Sequence, residues 1–220
     1  MDLNVLMVDD HPPIIEGYKS ILSYNPFGYN LHTVAAYSCE AAYFIITEKA
    51  KPIPFDIVFV DVTLPPFQEK NIESGEDLVL LVKEHLPEAK IIMLTSHTES
   101  LVLYRILSEC QPDGLLVKSD FLSDEFLVAF DTIVKGGKYY SATVKNQKNE
   151  MISSVKTLDS YNRQIIILLS QGVKTKNFHH HINLSTSAIE KRKTVIKDYF
   201  GILKGTDEDI LREARKQGLI

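Results

Sequence analysis

Five short apolar runs, each followed by a longer amphipathic segment, most strongly constrain the fold of this 220-residue chain. The runs lie at 3–8, 31–37, 56–62, 90–95 and 114–118, and the helical patterns lie near 12–23, 38–49, 75–85, 98–109 and 123–135. Such alternation indicates right-handed βαβ units that form a parallel sheet with helices on both faces. We therefore predict an α/β domain over residues 1–140, with a five-stranded doubly wound parallel sheet of the flavodoxin-like type.

Acidic side chains stand where two of these runs end. Asp9 and Asp10 follow the first run, and Asp61 lies in the third. The carboxyl ends of parallel strands meet at one edge of the sheet, so the three carboxylates converge and repel one another unless a cation lies between them. Oxygen ligands of this kind suit Mg²⁺, which often partners phosphate. Thr95 and Lys118 end the fourth and fifth runs, so we expect them at the same edge, in a magnesium-dependent phosphoryl site.

The C-terminal part of the chain has a different character. Residues 156–220 carry 12 Lys and Arg against 7 Asp and Glu, a net of +5, whereas residues 1–155 carry 12 against 22, a net of −10. Helical patterns lie at 159–171, 174–182, 186–200 and 207–217, with a tight turn near Asn183 and Leu184. We predict a linker over 141–156 and an all-α helix-turn-helix domain over 157–220, whose basic surplus suggests a polyanionic partner.

Four short motifs make the chain resemble the two-component response regulators of the NarL/LuxR class. They are the acidic pair in VDDHP, the aspartate in VDVTLP, the threonine in MLTS and the lysine in LVKS. Members of that class join a receiver domain to a LuxR-type DNA-binding domain, and the resemblance covers nearly the whole chain. It implies a transcriptional regulator whose DNA binding is controlled by phosphorylation.

The resemblance also implies a role for each residue of the phosphoryl site. Asp61 would accept the phosphoryl group from a sensor histidine kinase, forming an acyl phosphate. Mg²⁺ would be held by Asp9, through a bound water, and by Asp10, Asp61 and the carbonyl of Thr63. Lys118 would pair with a phosphoryl oxygen as a point charge, and the Thr95 hydroxyl would move toward the new phosphate.

An aspartate-dependent hydrolase is the enzymatic alternative for the same carboxylates. Phosphatases and dehalogenases of that type resemble a D-x-D pattern whose second aspartate acts as acid and base. Position 63 holds Thr63 instead, and no carboxylate replaces it. We therefore expect a phosphorylated switch, not an enzyme.

Three features depart from the receiver pattern. Leu115 occupies the position, three residues before the lysine, at which the family usually has an aromatic side chain coupled to the threonine. The loop between Asp61 and Gly75 is longer than is usual, and is either a tolerated insertion or a surface that contacts the kinase or gates the site. Ser96 and His97 follow the threonine where a small residue is common, and could slow access to the site.

The output domain matches its family less closely than the receiver does. Asn162 stands where a glutamate is typical, and His179 stands where a small alanine is expected. His179, His180 and His181 are consecutive, but consecutive helical residues point about 100° apart, so we do not expect them to chelate one metal ion. We expect surface histidines with one packed imidazole.

Helical periodicity divides the predicted recognition helix into a core side and an outer side. Stepping 100° per residue from Ile189 places Ile196, Tyr199 and Phe200 on the core side. Facing outward are Glu190, Lys191, Thr194, Lys197 and Asp198, with Arg192 and Lys193 on the flanks. We predict that Lys191 and Thr194 contact base edges, and that Lys176, Lys193 and Lys197 contact phosphates of double-stranded DNA.

Composition and partners complete the prediction. Two cysteines without a paired framework indicate a reducing compartment, and we find neither a signal peptide nor an apolar stretch long enough to cross a membrane. We therefore expect a cytoplasmic protein that forms a homodimer when phosphorylated. The alternative is a protein-interaction switch whose divergent C-terminal domain does not bind DNA.

Overall fold

The structure, a computed structural model, describes residues 1–48, 54–147, 158–202 and 204–220. The chain forms two compact units: the first comprises Met1–His97 and Ile106–Val144, and the second comprises Thr98–Arg105 and Lys145–Ile220. The predicted helix at 98–109 is therefore divided between the units. Most of the predicted linker at 141–156 lies outside the described residues, and the domain boundaries stay predictions.

The first unit is built on one parallel sheet with the strand order β2-β1-β3-β4-β5-β6. The strands are β1 (Asp2–Val8), β2 (Asn30–Ala36), β3 (Ile57–Asp61), β4 (Lys90–Thr95), β5 (Gly114–Val117) and β6 (Tyr139–Tyr140). The predicted doubly wound sheet is confirmed, but it has six strands where five were predicted. The sixth has only two residues, too few to show an alternating pattern.

Five helices follow the first five strands in turn. They are α1 (Pro12–Ser23), α2 (Cys39–Thr47), α3 (Gly75–His85), α4 (Ser100–Arg105), which continues as a π-helix over Ile106–Cys110, and α5 (Ser123–Val134). Local caps fix two of the starts, because an N-cap hydroxyl satisfies an otherwise unpaired helical N–H. Ser38 accepts from the N–H of Ala41 at the start of α2, and Ser74 forms a capping box with Asp77 at the start of α3.

Every residue of the central strand β3 is buried, which explains its unbroken apolar sequence. On one face of the sheet, Phe59 packs against Phe126 and Phe130 of α5, with ring centroids 5.5 and 6.2 Å apart. Burying such a side chain stabilises the fold by about 1.5–3 kcal/mol. This core fixes the end of β3 and hence the position of Asp61.

The second unit contains α6 (Ser160–Ser170), a 3₁₀ helix (Thr175–His180), α7 (Thr186–Tyr199) and α8 (Asp207–Lys216). Predicted helix 174–182 is thus a 3₁₀ helix and not an α-helix. The core of the second unit contains Ile165, Phe178, Ile189, Ile210 and Leu101. Across the described parts of the chain, no helix is both long and apolar enough to span a bilayer.

Candidate phosphorylation site

The sheet brings the predicted phosphoryl-site residues to one edge. Asp9 and Asp10 follow β1, Asp61 ends β3, Thr95 ends β4 and Lys118 follows β5. Strand register aligns the ends, since Val8 pairs with Val60 and Thr95 pairs with Val117. Asp9 and Asp61 are only 2% and 4% exposed, so their carboxylates are largely removed from water.

The Lys118 ammonium lies between two of the carboxylates. Its Nζ donates to Asp9 Oδ2 at 2.8 Å and to Asp61 Oδ2 at 2.9 Å. Burial alone would lower the pKa of Lys118, but these two hydrogen bonds and the charges of Asp9 and Asp61 together outweigh it and raise the pKa. Burial raises the pKa of Asp61 even though Lys118 opposes that effect. Asp61 is therefore a desolvated carboxylate held beside a cation.

The acidic cluster retains excess negative charge. Ligand atoms of Asp9, Asp10, His11 and Asp61 lie within 4.8 Å of one another. Three carboxylates and the Lys118 ammonium leave a formal charge of −3 + 1 = −2, with the imidazole taken as neutral. Asp10 Oδ1 is buried and makes no hydrogen bond, although His11 Nδ1 lies 2.7 Å from it as an ion-pair contact if the imidazole is protonated. An unsatisfied carboxylate oxygen in a cluster of charge −2 fits a hard divalent cation such as Mg²⁺.

Thr95 and Thr63 differ in how far the structure supports their predicted roles. Thr95 is fully buried, its Oγ1 accepts from the N–H of His97 at 3.0 Å, and its carbonyl accepts from the N–H of Lys118 at 2.7 Å. The threonine hydroxyl and the lysine are thus held by adjacent backbone. The Thr63 N–H lies 3.4 Å from Asp61 Oδ1, a weak bond, and the part of its carbonyl in metal binding stays a prediction.

Gly75 is a further residue on which the site depends. A Cβ added to it would lie 1.9 Å from the carbonyl oxygen of Asp61, so only glycine fits where α3 begins. The Gly75 N–H also donates to the carbonyl of Val62. In the sequence this glycine marked only the end of the long loop. Its position directly after Ser74, a residue type that often caps helices, could have indicated that a helix begins at Gly75.

The long loop after Asp61 folds back on itself and packs against α2. Phe67 and Ile72 form an antiparallel bridge, and Asn71 makes the turn with a φ of 54°. Phe67 is buried, with its ring centroid 5.7 Å from that of Tyr43 and 6.1 Å from that of Phe44. The insertion is therefore anchored by its own apolar side chains.

The lysines predicted to contact DNA differ in exposure. Lys176, Lys191 and Thr194 are exposed, and Lys197 is half-buried. Lys193 is only 7% exposed, and its Nζ lies 2.7 Å from Asp207 Oδ1 and 3.3 Å from Thr175 Oγ1. An ammonium with these partners is suited to holding α7 against α8 and the 3₁₀ helix, not to contacting phosphate. Helical periodicity already indicated that Lys193 lies near the core, because residue 193 is 4 × 100° = 400°, or 40°, from Ile189.

One sequence departure in the C-terminal unit, Asn162, is explained by its contact with an arginine. Arg192 Nη1 donates to Asn162 Oδ1 at 3.0 Å and to Asp159 Oδ2. Asp159 also caps α6 by accepting from the N–H of Asn162. Asn162 is buried, so an amide in place of the family's glutamate satisfies Arg192 while Asp159 supplies the negative charge.

Together, a parallel sheet with an acidic cluster, a buried threonine and a lysine at its carboxyl edge defines the phosphoaccepting receiver class. The model of the response regulator receiver domain matches residues 5–125, and the chain belongs to this family.

Full-length relatives extend the likeness to the C-terminal unit. The chain is 24% identical to the transcriptional regulatory protein MctR of Rhizobium johnstonii, over 99% of this chain and 95% of that protein. It is 23% identical to the oxygen regulatory protein NreC of Staphylococcus aureus, over 91% and 92%. A structure of the response regulator RcsB in complex with DNA matches with a TM-score of 0.65 at 20% identity, covering 98% of both chains.

Proposed function

We propose that this protein is a DNA-binding transcriptional response regulator that is switched by phosphorylation of Asp61. The observation that carries the proposal is the Lys118 ammonium bridging Asp9 and Asp61 beside an unsatisfied Asp10 oxygen, at the carboxyl edge of a receiver-type sheet. The site has a nucleophilic carboxylate, a fixed cation and the charge to hold a divalent ion, and Thr63 stands where hydrolases of this type have their second aspartate.

In the proposed reaction, an Asp61 carboxylate oxygen attacks phosphorus of a phosphohistidine on a sensor kinase. The P–N bond breaks as the P–O bond forms, and the kinase imidazole keeps the electron pair of the broken bond and takes up a proton. Asp9, Asp10, Asp61 and the Thr63 carbonyl would hold Mg²⁺, which supplies charge neutralisation for the incoming phosphoryl oxygens. Lys118 then exchanges a carboxylate for a phosphoryl oxygen, and the Thr95 hydroxyl donates to another.

Mass spectrometry of the full chain tests the phosphoacceptor. Incubated with a small phosphodonor and Mg²⁺, the wild type should gain one phosphoryl group, and Asp61→Asn should gain none. Asp198→Asn, which changes an exposed carboxylate on α7, is the matched control and should gain the group as the wild type does. A wild type that stays unmodified contradicts the proposal.

Several observations support DNA as the output. The relative MctR is described as a transcriptional regulatory protein, RcsB has been solved on DNA, and residues 156–220 carry a net charge of +5. Exposed Lys191 and Thr194 on α7 are our candidates for base contacts, with Lys176 and Lys197 for phosphates. Lys193, paired with Asp207, is our candidate for a supporting residue instead.

Salt-dependent binding to duplex DNA tests this output. Selection of bound genomic fragments would supply the duplex, and its affinity would then be measured at several salt concentrations. A phosphate contact contributes about 1 to the slope of log affinity against log salt, so Lys197→Ala should lower the slope by about that amount. Lys216→Ala, which changes an exposed side chain at the end of α8, is the control. Absence of salt-dependent binding to the selected duplexes would favour a protein-interaction switch.

The proposed function also implies a kinase partner, a dimer and a cellular compartment. We propose a sensor histidine kinase as donor and a homodimer as the phosphorylated form; RcsB is described as dimers where it is bound to two parallel DNAs. Light scattering before and after phosphorylation would show a doubling of mass. Cys39 and Cys110 are both buried and form no disulfide, which supports the reducing cytoplasm as the compartment.

A further inference from the structure

The edge strand β6 and the residues after it are bonded to the loop that carries Lys118. The buried Ser141 hydroxyl accepts from the N–H of Val117 at 3.0 Å and donates to Asp120 Oδ2 at 2.6 Å. Thr143 donates to the same carboxylate twice, through its N–H and its Oγ1, both at 2.7 Å. Residues on both sides of Lys118 are thus fixed by a network that we call the Asp120 network: Asp120, Ser141 and Thr143.

The Asp120 network connects the phosphorylation site with the chain that leaves the sheet. The N–H of Asp120 donates to the carbonyl of Val117, and the N–H of Lys118 donates to the carbonyl of Thr95. On its other side, Thr143 lies in helical residues 142–147, within the first part of the predicted linker. A displacement of the Lys118 loop therefore changes the bonds that hold the start of this helical segment.

The edge strand β6 supplies an aromatic side chain, Tyr140, whereas residue 115 is a leucine. Leu115 pairs with Tyr140 across β5 and β6, and Thr95 pairs with Val117. Because side chains alternate along a strand, Thr95, Leu115 and Tyr140 lie on one face of the sheet. Tyr139 lies on the opposite face, where its hydroxyl donates to Glu125 of α5 at 2.7 Å. Tyr140 is half-buried and paired with Leu115, so an aromatic side chain lies on the same face as Thr95, two strands away.

We propose that Tyr140 and the Asp120 network, and not residue 115, transmit the state of the phosphorylation site to the chain leaving the receiver. This inference rests on the proposed phosphorylation of Asp61. When Lys118 exchanges a carboxylate for a phosphoryl oxygen, its loop moves, and the bonds from Val117 and Asp120 to Ser141 and Thr143 pass that movement to residues 142–147. These side chains are positioning residues, because none of them contacts the phosphoryl group.

Hydrogen exchange of the full chain, with and without phosphodonor and Mg²⁺, tests the inference. In the wild type, the amides of residues 142–147 should change their exchange rate by about tenfold on phosphorylation, within the range of typical coupling. Asp120→Asn, which cannot accept both Thr143 donors, and the milder Thr143→Val should reduce that change to less than about twofold. Both variants should still gain the phosphoryl group, since Lys118 and the three site aspartates remain.

Two further variants separate a relay from a merely structural role. Tyr140→Leu should lose the response, and Tyr140→Phe, which keeps the ring, should retain it. Tyr139→Phe removes a hydrogen bond from the same strand on the other face and should respond as the wild type does. A full response in both Asp120→Asn and Thr143→Val overturns the inference alone, whereas a wild type without any phosphoryl adduct overturns the proposed function as well.

Discussion

The two charged regions of this protein are assembled in opposite ways. At the carboxyl edge of the sheet, Asp9, Asp61 and Lys118 come from distant parts of the chain and meet in a buried cluster. On α7, Lys191 and Lys193 are neighbours in sequence, yet one is exposed and the other is buried against Asp207. The order of strands determines which residues meet at a sheet edge, whereas the function of a helical residue depends on what packs against its face.

The largest predicted effect comes from Gly75, on which the sheet edge depends. Gly75→Ala would place a Cβ 1.9 Å from the Asp61 carbonyl oxygen, a backbone atom that cannot move without displacing the end of β3. We expect a loss of about 3 kcal/mol or more in unfolding free energy, as for a severe steric conflict in a packed core. Urea unfolding gives the free energy, and Mg²⁺ titration should show weaker binding.

Gly17→Ala is the matched control for that substitution. Gly17 lies on the exposed side of α1, and its added Cβ would meet no atom within 4 Å. We expect a gain of roughly 0.5–1 kcal/mol, because alanine is a better helix former. Equal effects of the two substitutions would mean that Gly75 does not constrain Asp61.

The second prediction contrasts two lysines of α7. Lys193→Met keeps most of the apolar contact but leaves Asp207 without its ammonium partner. We expect the free energy of unfolding to fall by about 1–2 kcal/mol, less than for a fully buried pair because Asp207 is about a third exposed. Lys191→Met should leave the unfolding free energy within about 0.5 kcal/mol of the wild type while weakening DNA binding. Thermal unfolding and DNA titration together measure both. If Lys193→Met weakened DNA binding without changing the free energy of unfolding, the assignment of Lys193 to stability and Lys191 to DNA contact would be wrong.

The sequence predicted the sheet edge well and the helical face less well, for physical reasons. Alternating apolar runs dictate a parallel sheet, and a parallel sheet dictates where Asp9, Asp61 and Thr95 lie. Tyr139–Tyr140 was missed because a two-residue strand is stabilised by pairing with β5, not by its own pattern. Lys193 was predicted on a flank but is buried, because its partner Asp207 lies on another helix and the spacing within α7 does not show that contact.

The third prediction concerns the charge between the site carboxylates. Lys118→Met would change the formal charge of the cluster from −2 to −3 and remove a competitor for Asp9 and Asp61. We expect Mg²⁺ to bind about tenfold more tightly, a modest electrostatic gain at the edge of a protein. Calorimetric titration with Mg²⁺ measures it, with Lys135→Met, an exposed pair partner of Asp131 on another surface, as control. Unchanged or weaker binding would show that Lys118 does not occupy the cation's place.

The smallest effect distinguishes the two regions by pH. Burial raises the pKa of Asp61, whereas Asp159 is partly buried but hydrogen bonds from Arg192 and the Asn162 N–H lower its pKa below the ordinary 3.8. A lowered carboxyl pKa stabilises the folded state above the unfolded pKa, and that contribution disappears as the pH falls through the folded value.

Asp159→Asn should therefore reduce stability by less than about 1 kcal/mol at neutral pH, since the carboxylate is half-exposed, and should have no effect below its lowered pKa. Asp61→Asn should act with the opposite sign at neutral pH, because it removes a desolvated charge that burial penalises; its benefit should shrink as acid protonates Asp61 in the wild type. Unfolding curves of both variants across the acid range measure the two slopes. Slopes of the same sign would mean that the two carboxylates share one electrostatic environment, and the contrast between the desolvated Asp61 and the hydrogen-bonded Asp159 would not hold.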